Sequence, residues 1–178
     1  MRYLLSVMLF LIGVSCSEEK IKPLVNNNTL QSEIPSHESW NSQITFTTEG
    51  KIKAVLFSDH LKKYELQKLT QLEIVKINFY DSDQKISSTL TSKRGKVDDI
   101  TMDMYAIDSV VAVNDSGTVL TTTELKWRNS DGKILTDKFV SIKSPKEIIE
   151  GYGLESDQSL HNYMIFNVTY SSTISNKK

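Results

Sequence analysis

The chain has 178 residues, 39% hydrophobic and 24% charged, enough for one domain with a buried core and too apolar for wholesale disorder. A net charge of −1 leaves no footprint for a nucleic-acid backbone, so nucleic acid is not an expected partner. One cysteine, Cys16, excludes an internal disulfide, and three scattered histidines (His37, His60, His161) leave no zinc site of ordinary ligand spacing.

At the N-terminus, Arg2 precedes an apolar run from Tyr3 to Val14. The run is shorter than the roughly 20 residues that a bilayer-spanning helix needs, and it fits the apolar region of a secretory signal peptide spanning residues 1–15. Gly13-Val14-Ser15 then leads into Cys16, which resembles a bacterial lipobox with Gly13 where Leu is usual. On that reading Cys16 is the lipid attachment point and residue one of the mature chain. The competing reading is an ordinary signal peptide followed by an incidental free thiol. An exported, otherwise cysteine-free chain rarely keeps a lone exposed thiol, which favours lipidation. Two or more acyl chains give stable anchoring where one is marginal.

Residues 16–36 are polar and irregular, with Pro23, Asn26 to Asn28 and Pro35, and read as a tether that could reach several tens of Å if extended. From about Ser39 the pattern changes to period two. Val75, Ile77 and Phe79 alternate with Lys76 and Asn78. Ile100, Met102, Met104 and Ala106 fall on one face, with Thr101, Asp103 and Tyr105 on the other. Val140 and Ile142 alternate with Ser141 and Lys143, and Met164, Phe166 and Val168 with Tyr163, Ile165 and Asn167. β-Branched and aromatic residues dominate these runs, and DSDQ (81), NDSG (114), NSDG (129) and SPKE (144) punctuate them as turns. The expectation is an all-β domain over residues 37–170 with a polar tail at 171–178. Three segments, 89–97, 119–127 and 149–156, recur at intervals near 30 residues, which suggests stacked strand–turn–strand units. One stretch conflicts: Phe57, Leu61, Tyr64, Leu69 and Leu72 lie near helical spacing, and local propensity there is as compatible with helix as with strand.

Several of these segments together resemble the LptC family of lipopolysaccharide export, over about residues 34–168. They are IPSHESWNSQITFTTEGKIKAVLFSDHLKKYE, INFYDSD, VLTTTELKWRNSDGKILTDKFVSI and IEGYGLESDQSLHNYMI. The most specific pieces are Leu125, Trp127, Ile134, Thr136, Asp137, Phe139, Val140 and Ile142, and the run Gly151, Gly153, Leu154 to Asp157. Two positions, both read as lying at hairpins, depart from the family pattern: Asp108-Ser109 where Gly-Asn is common, and Gln84 where a turn glycine is common. The resemblance implies an open, V-shaped antiparallel β-jellyroll of the LptA/LptC type, with two sheets facing each other. It also implies that Phe57 to Ile74 is strand–turn–strand.

The function implied is non-enzymatic: acyl chains of lipopolysaccharide lie in a hydrophobic trough and are relayed from LptF/LptG of the inner-membrane ABC transporter to LptA. The anchor would be lipidated Cys16 on the periplasmic face of the inner membrane. Trough candidates are Phe46, Phe79, Met102, Met104, Trp127, Phe139, Ile142, Met164 and Phe166, each of which could equally be core between the sheets. Gly151 and Gly153 read as backbone devices for a bulge or a close strand approach. Asp98-Asp99 and Glu18-Glu19 read as solvated surface, as do Lys62-Lys63 and Lys93-Arg94, although the basic pairs could meet lipid phosphates at the rim. No G-x-S-x-G, H-E-x-x-H or Cys–His pairing is present, so no catalytic residue, metal or cofactor is expected. The alternative function is a membrane-anchored scaffold lipoprotein whose jellyroll pairs with other sheets by its edges and carries no lipid.

Overall fold

The four turn clusters read from the sequence all fall between strands in a computed structural model of the chain, which describes residues 34–174. Cys16, the signal-peptide segment and residues 16–33 of the tether lie outside the described residues. Nine strands run β1 (His37–Thr48), β2 (Lys51–Tyr64), β3 (Leu69–Tyr80), β4 (Ile86–Asp98), β5 (Met104–Asn114), β6 (Val119–Arg128), β7 (Lys133–Lys143), β8 (Glu147–Asp157) and β9 (Tyr163–Thr173). They form one sheet in sequence order, each strand antiparallel to the next, with β1 and β9 at the edges.

Short polar turns make this meander the easiest pairing available. In the β3–β4 turn, Asp81 Oδ1 accepts the amides of Asp83 and Lys85, both at 2.9 Å. In the β5–β6 turn, Asn114 Oδ1 accepts those of Ser116 (3.1 Å) and Thr118 (2.8 Å), and Gly117 supplies φ +83°. The ambiguous stretch is β2, a turn at 65–68 and β3. Leu61 and Leu72, spaced as if for a helix, sit directly opposite one another across the pair and are 7% and 2% exposed. Burial of alternate residues against the rest of the sheet outweighs a local helix preference of a few tenths of a kcal/mol per residue.

Two expectations are corrected. The strand expected to include Ile100 and Met102 begins only at Met104. Asp98 Oδ1 instead accepts the amides of Ile100 (2.8 Å) and Thr101 (3.0 Å), a local side-chain capture that competes with strand pairing. Ile100 is therefore 74% exposed, and Met102 turns through φ +61°. At the C-terminal end β9 continues past residue 170 to Thr173, and the amide of Ile174 still bonds the Lys146 carbonyl at 2.7 Å.

The two facing layers are one sheet creased along its middle. Ladder pairing lapses near the midpoint of every strand: at Asn41, Asp59, Ile74, Lys93, Asp108–Ser109, Thr123, Asp137–Lys138, Gly153 and Phe166. Asn41, Ile74, Asp108 and Ser109 all take positive φ, between 50° and 64°. Asp108-Ser109, read from the sequence as a hairpin, thus lies in mid-strand. Left-handed backbone costs roughly 1–2 kcal/mol for such a residue. The exposed Arg94–Asp108 pair (2.7 Å) gives back at most about 1 kcal/mol, so the crease is held by what it buries. The repeating segments 89–97, 119–127 and 149–156 lie in β4, β6 and β8 and each crosses the crease, so the period corresponds to one pair of strands.

Candidate functional site

Creasing turns the alternate residues of both half-sheets toward one another. In the half bearing the β1–β2 hairpin, one inward row runs in register through Ile44, Leu56, Ile77, Leu90, Ala112, Leu120, Ile142 and Ile149. In the other half a row runs through Thr70, Val97, Met104, Trp127, Ile134, Ser156 and Tyr163. Between them the interior is filled: Phe79, Leu120 and Ile134 are fully buried, and Trp127 is 1% exposed. Trp127 meets Phe46 edge-on with ring centroids 5.6 Å apart and Phe79 at 5.9 Å, so the aromatic residues join the two halves.

Burial along the inward rows falls toward β9. Ile142 is buried, Ile149 half-buried, and Val168, opposite Gly151, is 55% exposed. The interior therefore opens at that edge. Beside it lies a cleft of about 710 Å³ whose wall includes Tyr163, Met164 and Phe166 and whose rim includes Lys53, Gln158 and the Lys133–Glu155 ion pair. A second, smaller cleft of about 240 Å³ lies among Ile44, Leu61, Val97 and Met102, with the Lys63–Asp99 pair (3.6 Å) at its side.

The sequence candidates divide accordingly. Phe46, Phe79, Met104, Trp127 and Ile142 are in the shared core. Met102 is at the smaller cleft. Phe139 points outward, 41% exposed, and forms a T-shaped pair with Tyr152 at 5.3 Å. Met164 and Phe166, expected on the inward side, are 63% and 58% exposed, whereas Tyr163 and Ile165 pack against the core. Over residues 163–166 both faces of β9 are apolar, so alternation there could not set the phase. Gly151 lies where an added Cβ would stand 2.3 Å from the Asn167 carbonyl, and Gly153, at φ +76°, lies under the Phe166 ring.

The ionisable groups with shifted pKa values have structural partners. Burial raises the Tyr163 phenol, and the Glu147 carboxylate that it meets at 3.2 Å raises it further. Lys126 is raised by its hydrogen bond to Asp103 (2.7 Å). The Thr101 and Ile100 amides lower Asp98, and the Arg128 guanidinium holds Asp131 at about 2. Among the described residues no three His, Cys, Asp or Glu side chains converge as a metal site.

Both edge strands are nearly bare of charge. β9 has no charged residue in its 11 positions, and among the 12 of β1 the only carboxylate is Glu38. Soluble proteins usually protect such edges with lysine, proline or a covering loop, because unpaired backbone groups recruit other strands.

The chain is similar to a solved structure, LptH of Pseudomonas aeruginosa, described as the LptA-homologous periplasmic component of the conserved lipopolysaccharide transport device. Sequence identity is 8%, the TM-score is 0.50, and the match covers 70% of this chain and 95% of that one, a likeness of jellyroll-type fold. No curated protein matches the chain by sequence. A family model described as lipopolysaccharide-assembly, LptC-related, matches residues 4–167. That match spans the larger part of the chain and most of the creased sheet, so the chain belongs to the LptC-related family of lipopolysaccharide assembly, and its role lies in lipopolysaccharide transport.

Proposed function

We propose that the domain carries lipopolysaccharide without chemistry, holding its acyl chains between the two half-sheets and passing them along from edge to edge. The observation that carries this reading is the continuity of one apolar inward row from β1 to β8, with an interior that opens at β9 and edge strands left almost uncharged. Each methylene kept from water is worth about 0.8 kcal/mol, so an apolar trough removes the main cost of moving a lipid through an aqueous compartment. Edge pairing with a neighbouring jellyroll would continue the same row into the next molecule. In the LptC frame the donor is LptF/LptG of the inner-membrane transporter and the acceptor is LptA. Lipidated Cys16 would hold the domain at the periplasmic face of the inner membrane.

A scaffold that pairs edges and carries no lipid is favoured by one fact, the filled interior around Trp127 and Phe79. Photocrosslinking in cells separates the two. A photoreactive residue in place of the half-buried Ile149 labels lipopolysaccharide if the trough carries it, and labels only protein if the domain is a scaffold.

A further inference from the structure

We infer that the turn joining β8 to β9, residues 158–162, is a clasp that holds the two half-sheets together and releases when an acyl chain enters. The inference rests on the trough reading and adds a control point to it.

The crease leaves two rows of hairpins free to approach one another, and this turn crosses between them. Gln158 Nε2 donates to the Tyr80 carbonyl at 2.8 Å, and Ser88 Oγ donates to the Gln158 carbonyl. Asn114 Nδ2 donates to the Leu160 carbonyl at 3.4 Å, and His161 Nε2 meets Asp115 Oδ1 at 2.9 Å. Tyr80, Ser88, Asn114 and Asp115 all belong to the ends of the opposite half. Leu160 is driven inward, 1% exposed at φ +55°, and caps the apolar interior. Trp127 Nε1 donates to Gln158 Oε1 at 3.4 Å, so the side chain at the centre of the core touches the clasp directly.

The turn is built to move as a unit. Asp157 accepts from the Ser159 hydroxyl (2.8 Å) and from the amides of His161 and Asn162 (3.1 Å each), so its shape does not depend on the opposite half. The neighbouring turns bond within their own half: the Asp99 amide to the Lys68 carbonyl, and the Asn129 amide to Asp103 Oδ1. The outward ties of the 158–162 turn are single hydrogen bonds, the His161–Asp115 contact among them exposed, not a ladder, so they can part without unzipping the sheet. A filled interior and a lipid cargo are compatible if the halves separate at this seam.

The test uses the full chain with Asp115→Cys and His161→Cys together, joined by a short reagent that bridges two thiols, and purified lipopolysaccharide as the probe. The two single-cysteine variants control for Cys16. Photolabelling from a reactive residue at Ile149 is the readout. Bridging is expected to abolish lipid labelling, and Gln158→Ala without bridging is expected to increase it. Equal labelling with and without the bridge overturns the clasp while leaving the trough reading intact. Absence of lipid labelling in every form, unbridged protein included, overturns the trough reading and the clasp with it.

Discussion

Asp131 and Asp98 show how much of the surface chemistry serves turns. Asp131 is held at about 2 by Arg128, and Asp98 is lowered by the Thr101 and Ile100 amides. A carboxylate whose folded pKa is depressed contributes stability above its unfolded value, and that contribution is lost as pH falls through the folded one. For Asp131 the window runs from near 3.8 down to about 2. Asp131→Asn should therefore lower Tm slightly at pH 7, and the difference from the parent chain should shrink steadily from about pH 4 down to about pH 2. Because both partners are exposed, salt should weaken the effect. Melting curves from pH 7 to pH 2 at two ionic strengths check this, and a gap that widened in acid would contradict it. At this scale the sequence was legible for composition and poor for geometry. Gln84 stands where the family often has a turn glycine and does take φ +62°. Its side chain exchanges hydrogen bonds with the Ile52 backbone (2.9 and 3.2 Å), a compensation that no spacing rule announces.

At the level of elements, strands were readable wherever one face is polar. Val75, Ile77 and Phe79 alternate in the sequence and are buried in the structure. The phase failed for β9, whose first four residues are apolar on both faces, and the start of β5 failed because an aspartate captured the amides that a ladder would have used. The crease was marked in the sequence only at β8, by Gly153. Mid-strand reversals of φ are usually marked by glycine, yet Ile74, Asp108 and Ser109 make them here, held by burial on either side. The attachment of β9 to β8 depends instead on a glycine. At Gly151 a Cβ would overlap the Asn167 carbonyl and crowd Ile165 Cγ2 at 2.8 Å, with no flexible neighbour to give way. Gly151→Ala should loosen β9 and expose its amides to hydrogen exchange, while those of β3 and β4 stay protected. Uniform protection across all strands would show that the close approach at Gly151 is not what seats the last strand.

For the whole molecule, a single meander creased once explains several features together. It gives two facing halves without a chain crossover, leaves one strand edge unpaired at each end, and runs an apolar inward row from β1 to β8. All of this leaves the domain with two open sides. An uncharged edge such as β9 would be a hazard in an isolated protein, and it is useful in one that works by continuing another sheet. Adjacent residues on β9 test the account most directly, because Ile165 packs inward against the core and Met164 points out. Photoreactive residues placed singly at these two positions in cells should give lipopolysaccharide adducts from position 165 and not from position 164. Equal lipid labelling from both, or protein adducts alone from position 165, would contradict transport between the half-sheets.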